Sequence, residues 1–162
     1  MQKGDMIFAD MWYNCPMCRT AVSRGDVSIF VYPNNRNLHY IKRVLGLPGD
    51  KIKISSDGVS INGELLGQRT TTEQGEVTES VDGKSWQVIW DVTEDVEDYE
   101  ITVTPGHAFV LGDNRSKSND SRAFGLVPLS NIVGLSRQVW FSKGPNGIRW
   151  SRLGMSLQPR KH

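Results

Sequence analysis

Tyr40-Ile41-Lys42-Arg43-Val44-Leu45-Gly46-Leu47-Pro48-Gly49-Asp50 reads as a strand running into a turn. Tyr, Ile, Val and Leu suit a pleated surface, and Gly46, Pro48 and Gly49 end the run. Side chains alternate faces along a strand, so Tyr40, Lys42 and Val44 share one face and Ile41, Arg43 and Leu45 the other. Each face is apolar around a cation. At a sheet edge both cations would snorkel to water. A lysine held among apolar groups behaves differently: its pKa falls from about 10.4 toward neutrality, and the amine can act as a general base. Arginine stays protonated and cannot. Lys42 is therefore the candidate base.

Outward from this stretch, short strands follow one another. Met6 to Met11 reads as a first strand, followed by a loop that carries the cysteines. After the Ser23-Arg24-Gly25-Asp26 turn, Val27 to Tyr32 forms a second strand, which Pro33 and the following polar residues stop. It pairs as a hairpin with the Lys42 strand. Asp50 to Ser55 alternates charge with isoleucine, Ser56-Asp57-Gly58 turns it back, and Asn62-Gly63 is the strongest hairpin signal in the chain. From Gly67 to Asp98 the texture becomes polar and acidic around one strand, Trp86 to Val92. The segment 66–100 reads as an inserted β excursion with a solvated acidic loop. Ile101 to Val103 and Ala108 to Leu111 are the next strands, and Leu129 to Val133 is the best candidate for a short helix. The expected fold is mostly β, with coiled antiparallel sheets in one barrel-like domain over 1–162 and a small β excursion.

The bulk numbers exclude several classes. A net charge of +1 implies no polyanion field, and no nucleic-acid-binding signature is present. No apolar run is long enough to span a bilayer, and no export signal opens the chain. The chain begins close to an incipient strand, so an anchor or other upstream segment is expected. Cys15 and Cys18 lack the further ligands that a zinc site needs, and no metal or cofactor is expected. A local disulfide in an oxidising compartment is the first reading of that pair. Two inert thiols come second, and metal or redox use last.

A second polar constellation follows the apolar strand that ends at Leu111: Gly112-Asp113-Asn114-Arg115-Ser116-Lys117-Ser118-Asn119-Asp120-Ser121-Arg122. Its composition is that of a surface loop. Directly after a core strand it can also fold back onto the domain. There a serine hydroxyl would donate to a neutral lysine amine and fix its direction. Asp120 and Arg122 would form a charge-assisted pair that holds the loop.

With both stretches in view, the chain resembles the type I signal peptidases (leader peptidases), the membrane-anchored Ser–Lys proteases of bacteria. Gly4-Asp5, Arg24-Gly25-Asp26 through Tyr32-Pro33, the Tyr40 to Asp50 stretch, the Gly112 to Arg122 loop and the tail Gly147 to Gly154 carry the resemblance. Gly67 to Asp98 stays outside it. The resemblance implies Lys42 as general base, Ser118 as the hydroxyl that orients it, and Asp120, Arg122 and Arg43 as supporting charges. Ile7, Ile29 and Ile41 fall where the family lines small substrate pockets, with Tyr40 on the strand that an extended substrate joins by β-addition. Small pockets suit Ala-x-Ala cleavage sites in the signal peptides of exported preproteins.

The family's nucleophilic serine lies in a Ser-Met-x-Pro segment ahead of the Gly-Asp strand, so here it is expected upstream of Met1. The chain as written would then be inactive without that segment. A non-catalytic module binding extended peptides and a conjugation-type processing peptidase are the alternatives. The resemblance also implies work at the outer face of the inner membrane. Trp12, Trp86, Trp90, Trp140 and Trp150 could meet lipid there, or could equally pack in the core.

Overall fold

The computed structural model describes residues 5–10, 21–67, 75–91, 96–145 and 147–161. In chain order the strands are β1 (Asp5–Asp10), β2 (Val27–Val31), β3 (His39–Gly46), β4 (Lys51–Ser55), β5 (Gly58–Ile61) and β6 (Glu64–Leu65). They continue as β7 (Glu76–Val81), β8 (Lys84–Ile89), β9 (Tyr99–Thr102) and β10 (His107–Leu111). A single helical turn, α1 (Ser121–Phe124), precedes β11 (Val127–Pro128), β12 (Ile132–Gly144), β13 (Gly147–Ile148) and β14 (Arg160–Lys161).

The strands form three antiparallel sheets rather than a closed barrel. The largest runs β1-β12-β2-β3-β10-β11, with β13 added to β12. A four-stranded sheet runs β6-β5-β4-β9, and a three-stranded one β14-β8-β7. The β2–β3 hairpin pairs Ser28 with Lys42 and Ile29 with Ile41. Beside it, β10 places Leu111 opposite Arg43. The mostly β expectation therefore holds, with open sheets.

Three local readings differ. Leu129 to Val133 is not a helix: Leu129–Asn131 makes one 3-10 turn, and the chain then enters β12. That thirteen-residue strand has no clear signature in the sequence, because only part of it faces the core and Gly134, Ser136 and Ser142 interrupt its apolar pattern. β7 is likewise hidden in the sequence: its buried face carries Val77 and Glu79, and a glutamate at a core position masks the alternation.

Both faces of β3 are covered. Val44 belongs to a core cluster with Phe30, Val110 and Ile132, and Leu45 to another with Ile52, Trp86, Trp90 and Leu111. The second cluster joins all three sheets, so the excursion is packed onto the rest rather than hanging from it. Each fully buried side chain of this size contributes roughly 1.5–3 kcal/mol of burial free energy. Trp86 and Trp90 are therefore core residues, which removes them as lipid anchors. Trp12, Cys15 and Cys18 lie outside the described residues.

The turn after β5 shows how local chemistry sets register. Asn62 and Gly63 both take positive φ, at 53° and 87°, as the hairpin turn read from the sequence requires. Asn62 Nδ2 also donates to Asp50 at 2.9 Å, and its Oδ1 accepts from Lys51 N at 2.9 Å. Asn62→Ala should lower stability by about 1–3 kcal/mol, through strain and loss of these bonds. Urea melts would show it as a reduced midpoint, and an unchanged midpoint would contradict this account of the turn.

Candidate active site

β3 and the loop after β10 bring Lys42 and Ser118 together. Lys42 Nζ donates to Ser118 Oγ at 2.6 Å, and the Tyr40 ring centroid lies 5.9 Å from the same nitrogen. Tyr40 in turn stacks on Tyr32 at 4.4 Å and meets Phe124 edge-on. Burial in this setting lowers the Lys42 amine below the ordinary lysine range. Asp120 and Asp113 pull in the opposite direction, and Arg122 adds to the lowering.

The Ser118 hydroxyl has two partners. Ser118 accepts from the amine, and its hydroxyl also bonds to Asp120, which helps to stabilise that carboxylate. Asp120 is buried, and burial alone would raise its carboxyl. The Arg122 guanidinium, in a two-armed contact at 2.8 and 2.9 Å, outweighs burial together with Gly112 N–H, and the carboxyl sits below its usual range. Asp120 also caps α1, accepting from Arg122 N. One side chain thus ties the short helix, Gly112 and Ser118 together.

Gly112 is required by space rather than by φ. A Cβ built there would lie 2.0 Å from Ser118 Oγ and 3.3 Å from Lys42 Nζ. The lysine and serine meet over a bare backbone.

Of the two cations on β3, the deeper is Arg43, not Lys42. It is buried, donates to Asp113 at 2.8 Å from both Nε and Nη2, and donates from Nη1 to Gly25 O at 2.7 Å. The Trp86 ring lies 5.2 Å from its guanidinium. Snorkelling at a sheet edge therefore does not describe this strand. Asp113 pairs with Arg43, and Arg115 pairs with Glu79 and reaches Gly112 O, so three further charged residues border the site. A glutamate on the apolar period of β7 was the available signal for Glu79.

A cavity of about 200 Å³ opens beside the pair, lined by Val27, Ile41, Lys42, Arg43, Gly112 to Asn114, Lys117 and Ser118. Ile7 and Ile41 pack on a common cluster with Val27 and Val139. Ile29 is half-buried opposite Ile41 on β2 and does not line the cavity. At the other end of the sheet, Asp5 anchors β1 by accepting from Ser142 Oγ and Arg152 Nη2, both at 2.6 Å. Among the described residues no cluster of metal-ligating side chains occurs.

A family model described as "Signal peptidase, peptidase S26" matches residues 1–141. The chain belongs to that family. Signal peptidase I of Pseudomonas aeruginosa is 36% identical over 156 residues, covering 82% of this chain and 55% of that protein. Signal peptidase I of Rickettsia akari is 35% identical over 141 residues, covering 74% of this chain and 52% of that one. The chain thus spans about half the length of these curated relatives. A crystal structure of a signal peptidase I from Enterococcus faecalis superposes with a TM-score of 0.53 at 28% identity, over 72% of this chain and 97% of that one. In this signal peptidase family chain, Lys42, Ser118, Asp120 and Arg122 are thus brought into one hydrogen-bonded group, with Ile41 at its edge.

Proposed function

We propose that this chain carries the general-base half of a Ser–Lys endopeptidase that removes signal peptides from exported preproteins after small residues. The observation that carries the reading is the 2.6 Å contact between Lys42 Nζ and Ser118 Oγ over Gly112. A neutral amine whose N–H is committed to Ser118 keeps its lone pair directed elsewhere, free to take a proton. The attacking group in this reading is the serine of the Ser-Met-x-Pro segment that the family resemblance places ahead of β1. Lys42 takes that serine's proton as it attacks the scissile carbonyl, gives it to the leaving amine, and then activates water for deacylation. Tyr40 and Ile41 lie on the strand that an extended substrate would join, with Ile29 opposite Ile41 on β2 and Ile7 packed on the same cluster as Ile41.

The test is cleavage of an Ala-x-Ala peptide by the chain carrying its Ser-Met-x-Pro segment. Turnover after the second alanine supports the reading. Binding without turnover, lost in Ile41→Asp, would replace it with a peptide-binding module.

We also propose that the face around β1 and β12 rests on lipid. Met6 and Phe8 on β1 and Trp140 on β12 are exposed on neighbouring strands. Trp150 follows in the 3-10 turn, and the two tryptophans are 67% and 71% accessible. Indole rings favour the membrane interface. No described helix is long and apolar enough to cross a membrane, so contact here would be by surface. Anionic phospholipid vesicles should blue-shift the fluorescence of Trp140 and Trp150, and Trp140→Ser with Trp150→Ser should remove most of the shift. A spectrum unmoved by vesicles ends this proposal.

A further inference from the structure

Two buried charges take no part in the proton transfer just described. The side chains of Glu79, in the middle of β7, and Arg115, in the site loop, are only 1% and 0% accessible. Arg115 Nε donates to Glu79 Oε1 at 3.1 Å and Nη2 to Oε2, while Trp86 Nε1 donates to the same Oε2 at 2.8 Å. The third arm of the guanidinium leaves the pair: Nη1 donates to Gly112 O at 2.6 Å. Arg115 O accepts from Arg122 Nη2 at 2.5 Å.

The hairpin grips the loop by its backbone as well. Ile89 N donates to Asp113 O, and Arg115 N donates to Ile89 O, both at 2.8 Å. The excursion whose purpose the sequence leaves open thus touches Asp113, Arg115 and, through Trp86, Arg43.

Charge is a costly way to fill this space. A buried ion pair replaced by hydrocarbon of similar volume is often neutral or stabilising. What hydrocarbon cannot do is direct a donor at the carbonyl of Gly112, the residue whose bare Cα admits Ser118 beside Lys42. Arg115 does so, and Glu79 neutralises it and holds its fork in plane.

We infer that Glu79 is a positioning residue: acting through Arg115, it fixes Gly112 and with it the Lys42–Ser118 pair, so that the β7–β8 hairpin braces the active site. This rests on the Lys42 reading above.

The deciding experiment replaces the pair with hydrocarbon, Glu79→Met together with Arg115→Met, in the full chain labelled for NMR at its lysine side chains. The melting temperature should change little, because relief of two buried charges offsets the Trp86 Nε1 and Gly112 O left unpaired. The Lys42 titration midpoint should climb toward that of an ordinary lysine by at least about half a pH unit, because a loosened Gly112 lets water reach the amine. With the nucleophile segment present, kcat should fall about tenfold or more with little change in KM.

Glu79→Gln is the milder second variant, with the same expected direction. Val77→Ala, on the same strand and in the core, should lower the melting temperature and leave the midpoint alone. A Lys42 midpoint that stays put in the hydrocarbon variant, or moves equally in Val77→Ala, overturns the inference and leaves Glu79 merely structural. An unmutated Lys42 that titrates like an ordinary lysine would instead defeat the general-base reading.

Discussion

Replacing Lys42 by alanine should lower kcat/KM by about 10³-fold or more in a chain that carries the nucleophile segment, with KM little changed. The expectation follows from the only described amine that meets a hydroxyl at 2.6 Å in the site cavity. On the proposed general-base role, removing it leaves the serine without a proton acceptor. Lys42→Arg should fail equally, since a guanidinium stays charged and does not accept a proton. The fold should survive both changes, because Lys42 is only half-buried and carries no ion pair among the described residues.

The pH dependence has a definite sign. Burial lowers the amine's pKa, so the neutral form, which the proposed base role requires, is reached at lower pH than for an ordinary lysine. Activity should rise with pH through the Lys42 midpoint and fall about tenfold per unit below it, where the ammonium predominates. Stability has the matching dependence: the folded state resists protonation of Lys42, so acidification through this region costs stability, and raising the pH restores it. A rate profile without an acidic limb, or appreciable cleavage by Lys42→Ala, would remove Lys42 from the mechanism.

Gly112→Ala should be nearly as damaging, by a different route. Its new Cβ would lie 2.0 Å from Ser118 Oγ and 2.6 Å from Ser118 Cβ. Serine is too short to swing its end away while keeping the 2.6 Å bond to Lys42. The loop must shift, and a displacement near 1 Å is enough to cost about 10²-fold in rate. Overpacking should also lower stability by about 1–3 kcal/mol.

The double variant Gly112→Ala with Ser118→Gly separates the two effects. Removing the serine side chain relieves the overlap and should recover most of the stability. Activity should stay low, because the group that holds the amine is gone. Such coupling is expected for residues in contact. Wild-type cleavage by Gly112→Ala would show that the contact over the bare backbone does not matter.

Much of the local structure was legible in the residues. The β2–β3 hairpin, the alternating β4, the Asn62-Gly63 turn and the Gly112 to Arg122 loop follow from propensity and turn chemistry, which depend on neighbours along the chain. The Lys42–Ser118 contact was foreseen from a resemblance, not from spacing. β7 and β12 were not foreseen. A strand whose core face holds Glu79, or one only partly facing a core, shows no clean period, and its pairing depends on distant partners.

The sequence by itself determined the mostly β character, the order of the early strands and the two stretches that meet in the site. Only the tertiary structure decided which cation is buried and which excursion residue supports the loop. Arg43 reaches Asp113 across 70 positions, Lys42 reaches Ser118 across 76, and Arg115 reaches Glu79 across 36. At such separations a charge is sheltered or exposed according to what packs over it. The alternation of one strand places Lys42 and Arg43 on opposite faces; only the sheets, the loop and the hairpin above those faces decide that arginine is neutralised and locked while lysine is left beside a hydroxyl with its charge disfavoured.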